Sequence, residues 1–437
     1  MFKHWIELGL KKGLSDLEIY ATSNEALKLS VYQGKIDQHV KSKVSSARIK
    51  GIYQGKVATV AFENISDQRA DEMLDVLIES AKTITVNEPA IIYGGSSSYP
   101  KIKNHSFDFS SVPFEKKVEL ITKLEKNITA HELVSQVQNT MYQEVKTQTT
   151  LVNSKGLNLS RSNTYAYAYA VGVFKKGEDI KTAYEIKAVK DFNEFDVAEI
   201  AKKTIDKGAA AVGGSRKSIK TDSYPTVFSK EMFADLMSAF GSLFSAEAAY
   251  RGLTALKDKV GETIATTEFT LTDDPLNEQA FFQNSFDDEG VACQMRSIIE
   301  NGIFKGFMHN LKTAAIFKEE PTGNGFGGGI SASNLYVRPG KHSFDEVIAP
   351  IKNGVYITDL VGLHAGVQTV SGNFSLQAGG FRIEDGKLTT PVKMIVVSGN
   401  FFDMLKSIKD IGSDLSFDIS GYGSPTVYVG NLTIAGE

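Results

Sequence analysis

A chain of 437 residues, 42% hydrophobic and 23% charged, has the length for two or three domains and a composition that excludes wholesale disorder. Its 48 Lys+Arg against 52 Asp+Glu leave a formal net charge of −4, which excludes a global attraction to nucleic acid or to an anionic membrane surface. The single cysteine, Cys293, excludes an intrachain disulfide, Glu7, Lys11 and Lys12 arrive too early for a secretory signal, and no run approaches about 18 apolar residues, so a cytoplasmic location without a membrane span is expected.

The opening segment reads as a helix from Phe2, stopped at Gly13. Strands are predicted over 26–32, 44–52 and 57–62, the last two joined by the hairpin signal Gln54-Gly55. Ser66 then opens a helix whose Ala70, Met73, Leu74, Leu77, Ile78 and Ala81 recur at helical spacing. Residues 1–86 are one α+β domain on this reading, and 87–112, with Gly94-Gly95-Ser96-Ser97-Ser98, a linker. After Pro113 the helical spacing of Phe114, Val118, Ile121, Leu124 and Ile128 opens a central α+β domain over 113–222. Its strands are expected at 140–152 and 163–174. The second of these carries Tyr165, Tyr167 and Tyr169 on one face and Ala166, Ala168 and Ala170 on the other, a small face suited to close packing against a helix or sheet. Asp196 and Glu199 stand at capping-box spacing at the start of a further helix. The basic stretch Arg216-Lys217-Ser218-Ile219-Lys220 reads as a solvated linker.

Residues 223–437 change character. One long helix is predicted over 229–250, then strands at 268–271, 347–351, 355–358, 380–384, 392–397 and 426–428, and a helix over 403–411 stopped by Gly412. The expected fold class is α+β: N-terminal α/β sandwich-like units followed by a large, mostly antiparallel β C-terminal domain with one long helix.

The seven histidines, His4, His39, His105, His131, His309, His342 and His364, never fall within five residues of one another. A helical zinc motif needs two imidazoles on one face with a Glu beside the first, and none is present. Cys293 has no thiolate-stabilising neighbour in sequence and reads as a buried, inert thiol. There is no Gly-x-Ser-x-Gly elbow for serine chemistry. The run Gly323-Asn-Gly-Phe-Gly327-Gly328-Gly329 lacks the preceding strand, following helix and terminal Lys-Ser/Thr of a phosphate loop; it reads as a flexible loop or as a close backbone approach, which beside a groove would let an extended peptide lie against the loop. Asp273-Asp274 and Asp287-Asp288-Glu289-Gly290 offer oxygens for a hard cation, although turn and cap roles are commoner for such sequences.

Several blocks lie in the order found in one family. They are Asp287-Asp-Glu-Gly290, Ile299-Glu-Asn-Gly-Ile-Phe-Lys-Gly306, Thr369-Val-Ser-Gly-Asn-Phe-Ser375, Gly380-Phe-Arg-Ile-Glu-Asp-Gly386, Pro391-Val392, Gly399-Asn400 ahead of Met404-Leu405, Gly423-Ser-Pro-Thr426 and Leu432-Thr-Ile-Ala-Gly436. Through them the chain resembles the TldD/PmbA family over nearly its whole length. TldD-type members carry His-Glu-x-x-x-His on a helix and a late cysteine as third zinc ligand. Counting back from Val260-Gly261-Glu262 places that motif at Met237-Ser238-Ala239-Phe240-Gly241-Ser242, and no cysteine follows Cys293. A thioether is a poor zinc ligand and a serine hydroxyl is no general base at neutral pH. The departures match the PmbA (TldE) branch, the partner of TldD. The resemblance therefore implies a non-catalytic subunit that completes a peptide channel, with no cofactor of its own and zinc in a TldD-type partner. Small, unfolded or modified peptides are the implied substrates, and the family's older label, modulator of DNA gyrase, is an indirect consequence of such proteolysis. No nucleic acid and no membrane is expected among the partners. The alternative is a stand-alone, homodimeric peptide-binding or regulatory protein. Gly327, Gly328, His364, Asn373 and Ser375, in loop-like and glycine-rich stretches, are the groove candidates; Met237, Ser238 and Ser242 mark the degenerate motif.

Overall fold

The computed structural model describes residues 1–86, 88–103, 107–212 and 219–436. Arg216, Lys217 and Ser218 of the basic stretch, and His105, lie outside the described residues. The chain divides into two compact units, one built from Met1–Gly94 and Lys103–Gly214, the other from Gly95–Ile102 and Ser215–Glu437.

The first unit runs α1 (Phe2–Lys11), β1 (Asp16–Tyr32), β2 (Lys35–Tyr53), β3 (Lys56–Glu63), α2 (Ala70–Thr83), α3 (Phe114–Thr129), β4 (Val134–Asn153), β5 (Asn158–Lys176), β6 (Asp179–Val189) and α4 (Val197–Ala211). Its strands form one antiparallel sheet in the order β3-β2-β1-β4-β5-β6. The two domains expected at 1–86 and 113–222 thus share a sheet, because β1 pairs with β4 over 14 residues from Glu18↔Asn153 to Val31↔Thr140. The strands are far longer than predicted, since the alternation of their buried residues fades toward the hairpin ends, where β2 is exposed. Ala166, Ala168 and Ala170 are fully buried beside residues of α3 and α4, while the tyrosines alternating with them are half-buried on the opposite face. Asp196 caps α4 by accepting from the Ala198 and Glu199 amides at 2.9 and 3.0 Å. The reciprocal half of the expected box is replaced, because Glu199 pairs with Lys203 at 2.8 Å.

Part of the expected linker, residues 92–99, is held by burial and hydrogen bonds. Ile92 is buried and the Tyr93 carbonyl accepts from Asn153 Nδ2 at 2.7 Å within the first unit. In the second unit Tyr99 Oη donates to the Gly290 carbonyl at 2.8 Å and Ser96 Oγ accepts from the Ala292 amide at 3.0 Å.

The second unit opens with β7 (Asp222–Phe228), α5 (Lys230–Phe240) and α6 (Ala246–Tyr250), followed by β8 (Leu271–Asp273), β9 (Arg296–Glu300), β10 (Ile303–Phe304), α7 (Leu311–Phe317), β11 (Leu335–Val337) and α8 (Phe344–Ile348). It continues with β12 (Asn353–Val361), β13 (Val367–Gln368), β14 (Asn373–Glu384), β15 (Lys387–Asn400), α9 (Phe401–Ser407), β16 (Asp410–Ile411), β17 (Ser416–Phe417), β18 (Tyr422–Ser424) and β19 (Val427–Ala435). One sheet has the order β10-β9-β8-β11-β18-β17. The other runs β12-β7-β19-β15-β14, and β14 pairs again with β12, so these five strands close on themselves; β13 and β16 are appended. Closure removes the edges that an open sheet would expose.

Three sequence expectations are corrected here. The helix over 229–250 is broken: α5 ends at Phe240, a 3-10 turn spans Gly241–Phe244, and Ser245 accepts from the Glu247 amide at 3.2 Å to start α6. Glycine is a weak helix former, and Ser245 is a stronger cap than a mid-helix residue. The strand predicted at 347–351 is instead the end of α8, started by a full capping box between Ser343 and Glu346. The helix predicted over 403–411 is α9, which ends at Ser407, and Asp410–Ile411 pairs with β19.

Candidate functional site

α5 starts where Ser229, in extended backbone, accepts from the Met232 amide at 3.3 Å. Its Phe233, Ala234, Leu236, Met237 and Phe240 are buried, and Phe240 stacks on Phe401 with ring centroids 4.2 Å apart. Asp235, Ser238 and Ala239 emerge on another side of the helix, as the i, i+3, i+4 spacing requires. Across from them, the stretch after β12 brings Leu363, His364, Val367 and Thr369. These seven residues line a cavity of about 380 Å³.

Asp235 is half-buried. Burial pushes its carboxyl above the usual range, and the carboxylates of Asp418 and Glu231 push it the same way. Among the described residues it has no hydrogen-bond or ion-pair partner. Tyr422 stands beside the break in the helix. A methyl group at Gly241 would come within 2.9 Å of Tyr422 Oη, so the phenol occupies the space that a side chain at 241 would need. Burial raises the phenol's pKa, and the neighbouring Ser238 hydroxyl opposes that rise.

The motif positions do not converge. Met237 is 1% exposed and packed in the core, Ser238 lines the cavity, and Ser242 is exposed on the 3-10 turn. Of the groove candidates, His364 lines the cavity opposite Ser238. Ser375 is tied to the same turn, because its amide donates to the Gly366 carbonyl at 2.8 Å. Asn373 lies two residues away on the same exposed face of β14, where its Oδ1 accepts from Asn400 Nδ2 at 2.9 Å. Gly327 and Gly328 are exposed with positive φ (61° and 80°) and are not among the residues lining this cavity.

The glycine-rich loop has a different logic. Asp287 Oδ1 accepts from the amides of Glu289 and Val291, both at 2.9 Å, and its Oδ2 accepts from Gly325 at 2.8 Å. Asp288 accepts from Gly327 at 2.9 Å, and Glu289 accepts from Leu311 at 2.8 Å to start α7. A side chain at Gly325 would meet Glu289 Oε2 at 2.8 Å and Asp287 Oδ2 at 3.0 Å, so a larger residue there would have to push these hydrogen-bonded carboxylates aside. Asp273, fully buried, accepts from Asn324 Nδ2 at 2.7 Å and from the amides of Ser333 and Asn334, both at 2.9 Å. Both acidic clusters therefore serve backbone turns, the commoner of the two roles open to them in sequence.

Cys293 is buried, and its thiol donates to the Gly323 carbonyl at 3.2 Å. A thiol probe is expected to label it only on unfolding; stoichiometric labelling of the native protein within minutes contradicts that burial.

Sequence reasoning missed Asp235, Thr369 and Tyr422. Asp235 was accessible to it, because Asp235 and Ser238 stand at helical spacing on the exposed side of a predicted helix. Tyr422 carried no signal, since only the tertiary fold brings it beside Gly241.

Residues 221–436 match the model of the PmbA/TldA metallopeptidase C-terminal domain, and residues 107–212 match that of the PmbA/TldA metallopeptidase central domain. A metalloprotease of Methanothermobacter thermautotrophicus is 29% identical over 354 residues, covering 75% of each chain. A Thermotoga maritima structure, solved as a candidate modulator of a DNA gyrase, superposes with a TM-score of 0.89 at 27% identity over 99% of each chain. TldE from Thermococcus kodakarensis superposes with a TM-score of 0.88 at 25% identity over all of both chains. The two domain matches, together with likeness in sequence and in fold across the chain, establish that it belongs to the PmbA/TldD metallopeptidase family.

Proposed function

We propose that this chain is the non-catalytic subunit of a TldD/TldE-type metallopeptidase complex, which completes a peptide channel while a TldD-type partner supplies zinc. The observation that carries this reading is the chemistry at 237, 238 and 242. A thioether buried in the core and two serine hydroxyls do not fit zinc, and they supply no general base. Among the described residues, no group of three or more His, Cys, Asp or Glu side chains is placed to hold a metal ion. No catalytic step is therefore assigned to this chain. Its contribution is a surface: the cavity at Ser238 and His364, the exposed face of β14 with Asn373 and Ser375, and the tip of the glycine loop at Gly327 and Gly328.

Elemental analysis of the chain purified alone is expected to find no stoichiometric zinc. Cleavage of an unstructured peptide is expected only after addition of a TldD-type homologue. Zinc with activity from this chain alone overturns the reading. Recovery from native cytosol as a homodimer, without a homologue bearing His-Glu-x-x-x-His, favours the stand-alone peptide-binding protein instead. Replacing His364 with Ala is expected to weaken peptide binding several-fold through loss of one cavity-wall contact; unchanged affinity removes His364 from the groove.

A further inference from the structure

The cavity beside α5 has a chemistry more specific than a peptide groove in general. Its walls are mixed: Leu363, Val367 and Ala239 are apolar, Ser238 and Thr369 offer hydroxyls, and Asp235 and His364 are the titratable side chains among its lining residues. Asp235 projects from a helix whose opposite side is locked in the core by Phe233, Met237 and Phe240, so it cannot readily turn away. No cation among the described residues answers its charge, whereas Glu231 and Asp418 add to the negative potential around it. A half-buried carboxylate without a partner has lost part of its hydration and gains from a ligand that supplies a cation. Its volume of about 380 Å³ lies within the usual range for sites that take small ligands.

We propose that this cavity binds a cationic group of the peptide, an α-ammonium or the side chain of Lys or Arg, against the Asp235 carboxylate. The hydroxyls of Ser238 and Thr369 are available as further acceptors for the ammonium protons. Leu363, Val367 and Ala239 suit the methylenes of a long basic side chain, which bury their stems while the charge finds its partner. A free divalent ion is a poorer match, because one carboxylate and two hydroxyls do not make a hard-cation site. The proposal rests on the reading of this chain as a peptide-binding subunit and narrows it to peptides that present positive charge.

Titration calorimetry on the full chain, alone and mixed with a TldD-type homologue, separates the possibilities. Four short peptides serve as probes, all amidated at the C-terminus: an N-acetylated peptide containing Lys, the same peptide with norleucine, and the norleucine peptide and an arginine peptide with a free N-terminus. A charge-assisted hydrogen bond predicts roughly tenfold tighter binding for the cationic member of a pair. Preference for Lys over norleucine assigns the cavity to a side chain; preference for the free over the acetylated norleucine peptide assigns it to the terminus. Asp235→Asn, nearly isosteric and half-exposed, is expected to erase that preference while leaving norleucine binding and the melting temperature in place. Equal affinity for all four peptides overturns the charge proposal and leaves the peptide-binding reading standing. So does an Asp235→Asn variant that keeps the full preference. No binding of any peptide, alone or in the mixture, overturns both.

Discussion

Gly380→Ala is expected to abolish the native fold of the C-terminal unit. Gly380 sits in β14, opposite Ile357 of β12 and Val392 of β15, where both pairings shift register. A β-carbon there would lie 1.8 Å from the Tyr356 carbonyl oxygen and 3.1 Å from the Ile357 Cα. These are backbone atoms of the strand that closes the five-stranded ring, so no rotamer change relieves the contact. Relief requires β12 and β14 to separate by more than an ångström, which opens the ring and exposes the core beneath it. A native domain has only about 5–15 kcal/mol in hand, and forced overpacking with loss of ladder bonds consumes most of it. The measurement is soluble yield and the urea midpoint. Gly327→Ala is the control: Gly327 also has no side chain, but nothing lies within 4 Å of its β position, so only its left-handed backbone is penalised, by about 1 kcal/mol. A Gly380→Ala protein with a midpoint equal to that of the control contradicts the geometry.

The same contrast explains how much of the structure was legible in the sequence. Short-range signals translated well. The helix over α2 followed from Ala70, Met73, Leu74, Leu77, Ile78 and Ala81, all of which are buried. The close backbone approach read into the glycine run is what Gly323 and Gly325 provide, one against Ala292 and Cys293, the other against Asp287 and Glu289. Long-range pairing did not translate. That β1 joins β4 across the two stretches read in sequence as separate domains depends on registers between residues more than 100 positions apart, and no local pattern encodes them. The broken helix at Gly241 is an intermediate case. Its sequence allowed a helix, and the Tyr422 phenol pressed against it comes from a strand 181 positions later. The candidate site divides in the same way: motif position and loop context point to Ser238 and His364, whereas Asp235 needs the cavity to give it meaning.

Asp287 makes the second large prediction, because it is the hub that joins the acidic turn to the glycine loop. Its carboxylate is fully buried and accepts three backbone amides, two at Oδ1 and one at Oδ2. An asparagine has one acceptor oxygen. In either orientation Asp287→Asn sets its NH₂ against at least one amide donor, and a buried amide without a partner costs about 1–3 kcal/mol beyond the lost bond. The loss is expected to depend on pH in an unusual direction. Burial raises the Asp287 pKa to about 7; the Gly325 amide opposes the rise and the Glu289 carboxylate adds to it. A carboxyl whose folded pKa is raised above the unfolded value binds its proton more tightly in the native state. Its stabilising contribution is full below about pH 4 and is lost as pH rises through 7. His309 works against it across an overlapping range. Burial, then the Arg296 guanidinium, lowers the imidazole to about 4, so its contribution is present above about pH 6.5 and is lost as the pH falls toward 4. In the intact protein the two trends offset each other between about pH 4 and 6.5. Asp287→Asn removes one of them, so its deficit relative to the parent should grow by roughly 2 kcal/mol between pH 7 and pH 5. His309→Gln should do the reverse and make the protein gain stability, relative to its parent, on acidification over the same interval. Urea midpoints at pH 5 and 7 for the three proteins decide the matter: a deficit for Asp287→Asn that shrinks on acidification would mean that the three amides hold Asp287 ionised well below neutrality and outweigh its burial.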